Sequence, residues 1–256
     1  MKVAVLFDGA GLARLGLERA GHICTGVDLD PVKHHFSQLT GSGRCELGDA
    51  RDFDLTGYDA IWMSPPCAQR STAIKDLTRK GGYRNIEYQQ DHLEWCLTLK
   101  YAGLLGISWI ENVTIQGSKG NDWGRTWNAA QFLEAPLQNR NRVIGGVHDA
   151  PKVFRPYRRW HPGICPTISA TEYKGCASDR LRASRYYGRK LTVQECAYHQ
   201  GFEIPSTWFN IPDWFMPDYR HRAIHWERKI YEAIGDGVPV YMAQAFGQAA
   251  RDWELG

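Results

Sequence analysis

Long apolar runs are missing from this chain. The longest, Val3 to Phe7 and Ile107 to Ile110, fall far short of the ~18 residues that a membrane span requires. Met1-Lys2 followed by five apolar residues is too short for a secretory signal, so a soluble, cytoplasmic protein is expected. No C-x-x-C pair occurs among the seven cysteines, Cys24, Cys45, Cys67, Cys96, Cys165, Cys176 and Cys196, and their odd number argues against a disulfide framework or a zinc cluster. Internal repeats and low-complexity tracts are also lacking. What is there is ordinary for a globular chain, 43% hydrophobic and 23% charged, with tryptophan the exception at ten. A length of 256 residues suits one core domain with a small appendage.

Charge is uneven. Residues 151–190 carry ten Lys/Arg against Glu172 and Asp179, a net +8, which leaves −5 for the rest of a chain whose total is +3. Tyr157, Trp160, Tyr173, Tyr186 and Tyr187 lie among these cations. Cations that neutralise phosphate beside rings that stack on bases suit a nucleic acid, and a solvated loop face is the plainer alternative.

The first half alternates short apolar runs with helical segments, the pattern of a parallel sheet covered on both faces. Strands are predicted at residues 3–7, 23–27, 59–63, 107–110 and 142–147, and helices at residues 12–20, closed by Gly21, and 87–104. After residue 147, Pro151, Pro156, Pro162 and Pro166 break the pattern. A helix resumes at Thr192, where Thr192-Val-Gln-Glu195 has capping-box form, residues 203–222 show no period, and residues 238–250 are helix-compatible. The expected architecture is α/β, doubly wound and Rossmann-like, with ligands beyond the carboxyl ends of the strands.

The motifs fall at those ends. Phe7-Asp-Gly9-Ala-Gly11 places glycines where a strand turns into a helix, so that backbone amides can approach a ligand. A dinucleotide motif would want glycine at position 14, and Arg14 stands there. Asp28 ends the second strand, where a carboxylate can accept ribose hydroxyls, and Asp49 near the third can accept from an adenine amine. Ser64-Pro-Pro66-Cys67 delivers a rigid wall and then a thiol, a strong nucleophile as thiolate. Glu111-Asn-Val113 brings an acid to the same edge, placed to donate a proton. Gln138, Arg140 and Arg142 alternate at period two, so their side chains share one face and suit a carbonyl oxygen or phosphate.

In this order the motifs resemble those of the cytosine-C5 DNA methyltransferases, over nearly the whole chain. Phe7-Asp-Gly9-Ala-Gly11 is similar to that family's loop for S-adenosyl-L-methionine (AdoMet), Asp28 and Asp49 to its ribose and adenine acids, and Pro65-Pro66-Cys67 to its nucleophile motif. Glu111-Asn-Val113 and Gln138-x-Arg140-x-Arg142 resemble its next two. Pro166 to Ala170, Leu191 to Glu195 and Gln200-Gly-Phe202 are similar to segments that close its target-recognition region, and Gly235-Asp-Gly-Val238-Pro239 to its last motif. The resemblance implies that Cys67 adds to C6 of a flipped cytosine, Glu111 meets N3, Arg142 holds O2 with Arg140 beside it, and C5 takes the methyl group of AdoMet. It implies AdoMet contacts at Phe7, Gly9, Gly11, Asp28, Asp49, Pro66 and Val238, and DNA contacts at Ser71, Gln138, Arg155, Arg158 and Arg159. Residues 1–147 with 234–256 would form the catalytic domain and residues 148–233 a small, irregular target-recognition domain. The implied partner is duplex DNA, met by a monomer of bacterial or phage type.

Departures from the family pattern are Leu12 for a glycine, Ala68 for Gln after the cysteine, Asp28 for Glu and Asp236 for Asn. Only 23 residues separate Arg142 from Pro166, where the family carries a much larger recognition region, so a short or relaxed target sequence is expected. Transfer RNA cytosine as substrate, and a catalytically silent DNA-binding subunit, remain alternatives. An amino methyltransferase would want an aromatic residue at Cys67. His221 and His225 have i, i+4 spacing, without a third metal ligand in view.

Overall fold

The computed structural model describes residues 1–66, 86–101, 106–113, 123–135, 137–146, 151–176, 183–215 and 221–255; Cys67, Ala68 and Ser71 lie outside them. Among the described residues, strands β1 (Lys2–Leu6), β2 (Ile23–Asp28), β3 (Cys45–Leu47), β4 (Ala60–Met63), β5 (Ile107–Val113), β6 (Arg125–Asn128) and β7 (Asn141–Gly145) form one sheet of order β3-β2-β1-β4-β5-β7-β6. The helices are α1 (Leu12–Arg19), α2 (Pro31–Gln38), α3 (Ile86–Tyr101), α4 (Ala183–Tyr186), α5 (Val193–Gln200), α6 (Arg222–Asp236) and α7 (Val240–Leu255).

Strand periodicity sorts the core. Val3, Val5, Trp62, Trp109 and Ile144 pack on one face of the sheet with Leu17 of α1 and Met242 and Phe246 of α7. Ala4, Leu6, Ile61, Met63, Ile110 and Val143 face the other way, with Leu93 and Cys96 of α3. Because both faces are covered, the central strands read as nearly unbroken apolar runs. Trp62 and Trp109 are cross-strand partners with ring centroids 5.8 Å apart, a contact worth ~0.5–1.5 kcal/mol beyond burial.

The sheet is not all parallel, as the alternation had suggested. β7 runs antiparallel to both β5 and β6. This reversal brings the amino end of β7 to the carboxyl end of β5, with Arg142 opposite Val113. β5 also continues three residues beyond the predicted Ile110, so Glu111 and Asn112 lie within the strand.

The capping box forms as its residues suggest. Thr192 Oγ1 accepts from the Glu195 amide at 3.2 Å, the Thr192 amide donates to Glu195 at 2.8 Å, and Gly201 closes α5 at φ +85°. Helix α6 was not anticipated, although Trp226, Ile230, Ala233 and Ile234 mark an apolar stripe along it. That stripe enters a core shared by Ala10, Leu12 and Phe36 with Ile168, Leu191, Cys196, Trp208 and Val240. Residues on both sides of the expected boundaries at 147/148 and 233/234 therefore contribute to one core. No helix among the described residues is long and apolar enough to cross a membrane.

Candidate active site

The β1–α1 turn is built from backbone conformations that most residues avoid. Phe7 has φ +59°, Gly9 +61° and Gly11 +81°. For Phe7 this costs ~1–2 kcal/mol, and its ring is held edge-on to His92 and Trp95 of α3. A Cβ on Gly9 would meet no atom within 4 Å, so the turn opens onto space there. A Cβ on Gly11 would come within 2.7 Å of the Arg14 guanidinium.

Arg14, where a dinucleotide motif would have glycine, underpins this turn. It is fully buried, and its Nε donates to Asp8 Oδ2 at 3.0 Å while Nη2 donates to Ser37 O at 2.7 Å and Thr40 O at 3.1 Å. Ser37 Oγ also donates to Asp8. Asp8, Arg14 and the end of α2 thus form one buried polar cluster beneath the glycines. Burial pushes the Asp8 carboxyl up from its ordinary value, and Arg14 opposes that shift. Gly26 is required beside it, because a Cβ would lie 2.2 Å from Asp8 Oδ2.

Asp28 stands at the open side. Its carboxylate accepts from the Gly9 amide at 2.8 Å and the Asp30 amide at 2.9 Å, and burial raises its pKa. Two amides leave a carboxylate further acceptor sites, which fits diol binding. The Asp28 carbonyl accepts from the Gly48 amide at 3.1 Å, which ties in the strand end that carries Asp49. The Arg51 fork grips Asp49, with Nη2 to Oδ2 at 2.6 Å, and holds its carboxyl down at about 2. Two departures from the family pattern have local compensation. Lys33 lies 3.6 Å from Asp236, and Leu12 packs where a Cβ on Gly237 would come within 2.5 Å of its Cδ1.

The chemical edge is formed by β4, β5 and β7. Met63 is opposite Ile110, so Pro65-Pro66 leaves the sheet beside Glu111-Asn112. The Asn112 side-chain Nδ2 donates to Pro65 O at 3.2 Å, which fixes the chain two residues before Cys67. Arg142 Nε meets Glu111 Oε1 at 2.7 Å, with both side chains nearly buried, and Arg142 Nη1 donates to Asn141 O at 2.8 Å. An acid and a guanidinium predicted for one site are therefore in contact.

Other predicted residues are placed differently. Gln138, expected to touch DNA, is fully buried; it donates to His199 O and Gln200 Oε1 at 2.8 Å and accepts from the Ile168 amide at 3.1 Å. Arg140 is 1% exposed and donates to Ile168 O at 2.5 Å, Gly235 O at 2.8 Å and Gly237 O at 2.9 Å. It clamps two motif segments whose backbones touch, since a Cβ on Gly235 would lie 2.1 Å from the Ala170 amide. Val238 is core, packed with Leu17, Tyr241 and Met242. Arg155 is half-buried and donates to Glu134 O at 2.6 Å, whereas Arg158 and Arg159 are exposed. Pro66 is exposed at the sheet edge.

A brace of amides went unread in the sequence. Asn128 donates to Arg158 O at 3.0 Å and Arg159 O at 3.3 Å, Asn139 to His161 O at 2.9 Å, and Asn141 to Arg159 O at 3.0 Å. Asn139 and Asn141 occupy the odd positions of Gln138-Asn-Arg-Asn-Arg142, a second period-two face that was open to view.

The fold is shared with solved methyltransferases. S. pombe Dnmt2 methyltransferase superposes with a TM-score of 0.59 at 15% identity, covering 99% of each chain. The Entamoeba histolytica methyltransferase EhMeth gives 0.58 at 11%, covering 100% of this chain and 99% of that one. A prophage-encoded E. coli protein assigned as a DNA modification methyltransferase gives 0.53 at 15%, with both chains fully covered. This is a Rossmann-like methyltransferase fold. No protein-family model and no curated protein matches the sequence, and identities this low establish the fold alone.

Proposed function

We propose that this protein transfers a methyl group from AdoMet to C5 of a cytosine in DNA. The Glu111–Arg142 contact at the carboxyl edge of the sheet, beside the segment that leads to Cys67, is the observation that carries the reading. The β1–α1 turn fits AdoMet: it is open at Gly9, and Asp28 keeps acceptor capacity beside it. Bound there, AdoMet would supply an electrophilic methyl group.

The chain's own residues account for the rest. C5 of cytosine is a weak nucleophile, so the Cys67 thiolate adds to C6 and the displaced electron pair makes C5 enamine-like. Glu111 donates a hydrogen bond or proton to N3, and the Arg142 guanidinium, held by Glu111 and Asn141 O, faces O2. After C5 takes the methyl group, the C5 proton leaves to water, the Cys67–C6 bond breaks with its electron pair returning to sulfur, and N3 gives back to Glu111 any proton it took, which restores the aromatic ring. A stacked base is out of reach, so the cytosine must leave the helix. The short segment between Arg142 and Pro166 favours a short or relaxed target.

The test is transfer of labelled methyl from AdoMet to duplex DNA, single-stranded DNA and RNA, for wild type and Cys67→Ala. Methylation of DNA cytosine that Cys67→Ala abolishes is expected, as is a trapped adduct with 5-fluorocytosine DNA, because fluorine blocks the final proton loss. Normal methylation by Cys67→Ala refutes the covalent route, and transfer to RNA alone refutes the DNA assignment.

A further inference from the structure

Most of the tryptophans are structural. Trp62, Trp109, Trp208 and Trp226 are among the largest fully buried side chains, and Trp123 and Trp127 are buried as well. Trp214 and Trp253 are about half exposed, and so is Trp160 at 48%, but Trp160 directly follows two exposed arginines, so that Arg158, Arg159 and Trp160 form one exposed run of three residues. None of the three makes an ion pair or ring contact among the described residues.

An exposed segment of irregular backbone is ordinarily mobile. Here the backbone is held from beneath. Asn128, fully buried, donates to the carbonyls of both arginines, and Asn141 donates to Arg159 O at 3.0 Å. Asn139, 2% exposed, accepts from the His161 amide at 2.8 Å and donates to His161 O at 2.9 Å, closing the far side of Trp160. The carbonyls face inward and the cations and indole outward. The brace joins β7 at Asn141, next in sequence to Arg142. A ring and two guanidinium groups thus project from a fixed backbone beside the edge that carries the proposed chemistry, and such pre-ordering of the backbone lowers the entropy cost of binding.

Resting on the DNA methyl-transfer reading, we propose that Arg158-Arg159-Trp160 is a pre-formed DNA-gripping element in which Trp160 stacks on an unstacked base beside the target cytosine. Arg158 and Arg159 contact the flanking phosphates. Asn128, Asn139 and Asn141 are positioning residues for it.

Binding of fluorescein-labelled duplex DNA, followed by anisotropy across a salt series, tests this. Trp160→Ala is expected to weaken binding about 5- to 100-fold without changing the slope of log K against log salt, because stacking releases no counterions. Trp160→Phe should recover most of the loss. Arg158→Ala and Arg159→Ala should each lower the slope by about 0.9. Asn141→Ala removes the side-chain bond to Arg159 O but keeps the Asn141 carbonyl to which Arg142 donates, and should raise KM for DNA by a larger factor than it lowers kcat; a fall in kcat with KM unchanged would overturn the positioning role. Melting temperatures of the exposed-site variants should match wild type, which separates lost contact from lost fold. Wild-type binding that Trp160→Ala leaves unchanged overturns the inference while the methyl-transfer reading stands. Trp160-dependent binding of RNA but not DNA overturns its DNA assignment. A wild-type chain that binds neither and methylates neither defeats the functional reading itself.

Discussion

Replacing Arg140 distinguishes a clamp from a catalytic group. The side chain is buried and donates to carbonyls of residues 168, 235 and 237, so Arg140→Met removes three charge-assisted hydrogen bonds and leaves three buried acceptors to be satisfied by water or movement. Charge-assisted bonds are worth ~1.5–3 kcal/mol each, but methionine also relieves the cost of burying a cation, so a net loss of about 3–5 kcal/mol is expected. For a chain of this size, ~2 °C of melting temperature accompanies each kcal/mol, which gives a fall of roughly 6–10 °C by calorimetry. Arg140→Lys should recover part of this, since a single ammonium cannot span carbonyls arranged for a fork. AdoMet affinity should fall as well, because the loosened segment at residues 235–239 adjoins Leu12 of α1. A variant with wild-type melting and AdoMet affinity but much reduced kcat would refute the clamp and restore Arg140 to the chemistry.

Arg14→Met should cost about 3–5 kcal/mol, because it strands the Asp8 carboxylate under the glycine turn, and adding Asp8→Asn should return part of the loss in urea denaturation. Gly237→Ala should destabilise by about 1–3 kcal/mol through collision with Leu12, and a double-mutant cycle with Leu12→Ala should be strongly non-additive; additive values would show that the two positions are independent. The Glu195 carboxyl is held down at about 2 by the Arg189 guanidinium and the Thr192 amide, below its ordinary 4.5. A depressed folded-state value means that the contribution is complete above pH ~4.5 and fades as pH falls toward 2. Acid melting curves of wild type and Glu195→Gln should therefore converge across that window, and a constant separation would refute the assignment.

Strands β1, β2, β4, β5 and β7 and the turn at Gly9–Gly11 were legible in the sequence because their signals are local, whereas β3 and β6, short and with few apolar residues, were not. Apolar runs of strand length, glycines at a strand end and a capping box follow from sterics and hydrogen bonding within a few residues. Helix α6 carries a local signal too, in Trp226, Ile230 and Ile234, but it follows a Pro/Trp-rich stretch without period and went unread. Glu111 and Arg142 were each marked by motif and strand alternation. Their contact was not, since it depends on β7 running against β5, and strand direction is a property of the whole sheet.

Sequence alone determined which chemistries are available to this chain: a thiol after a diproline, an acid and arginines at strand ends, and a cationic, aromatic middle. Tertiary structure decided how those side chains are used. Period two placed Gln138, Arg140 and Arg142 alike, yet among the described residues Gln138 bonds His199 O and the Ile168 amide, Arg140 bonds the carbonyls of Ile168, Gly235 and Gly237, and it is Arg142 that meets the acid. A polar group buried in a fold must find a partner, and which partner lies within reach is settled by packing between distant segments rather than by neighbours in sequence.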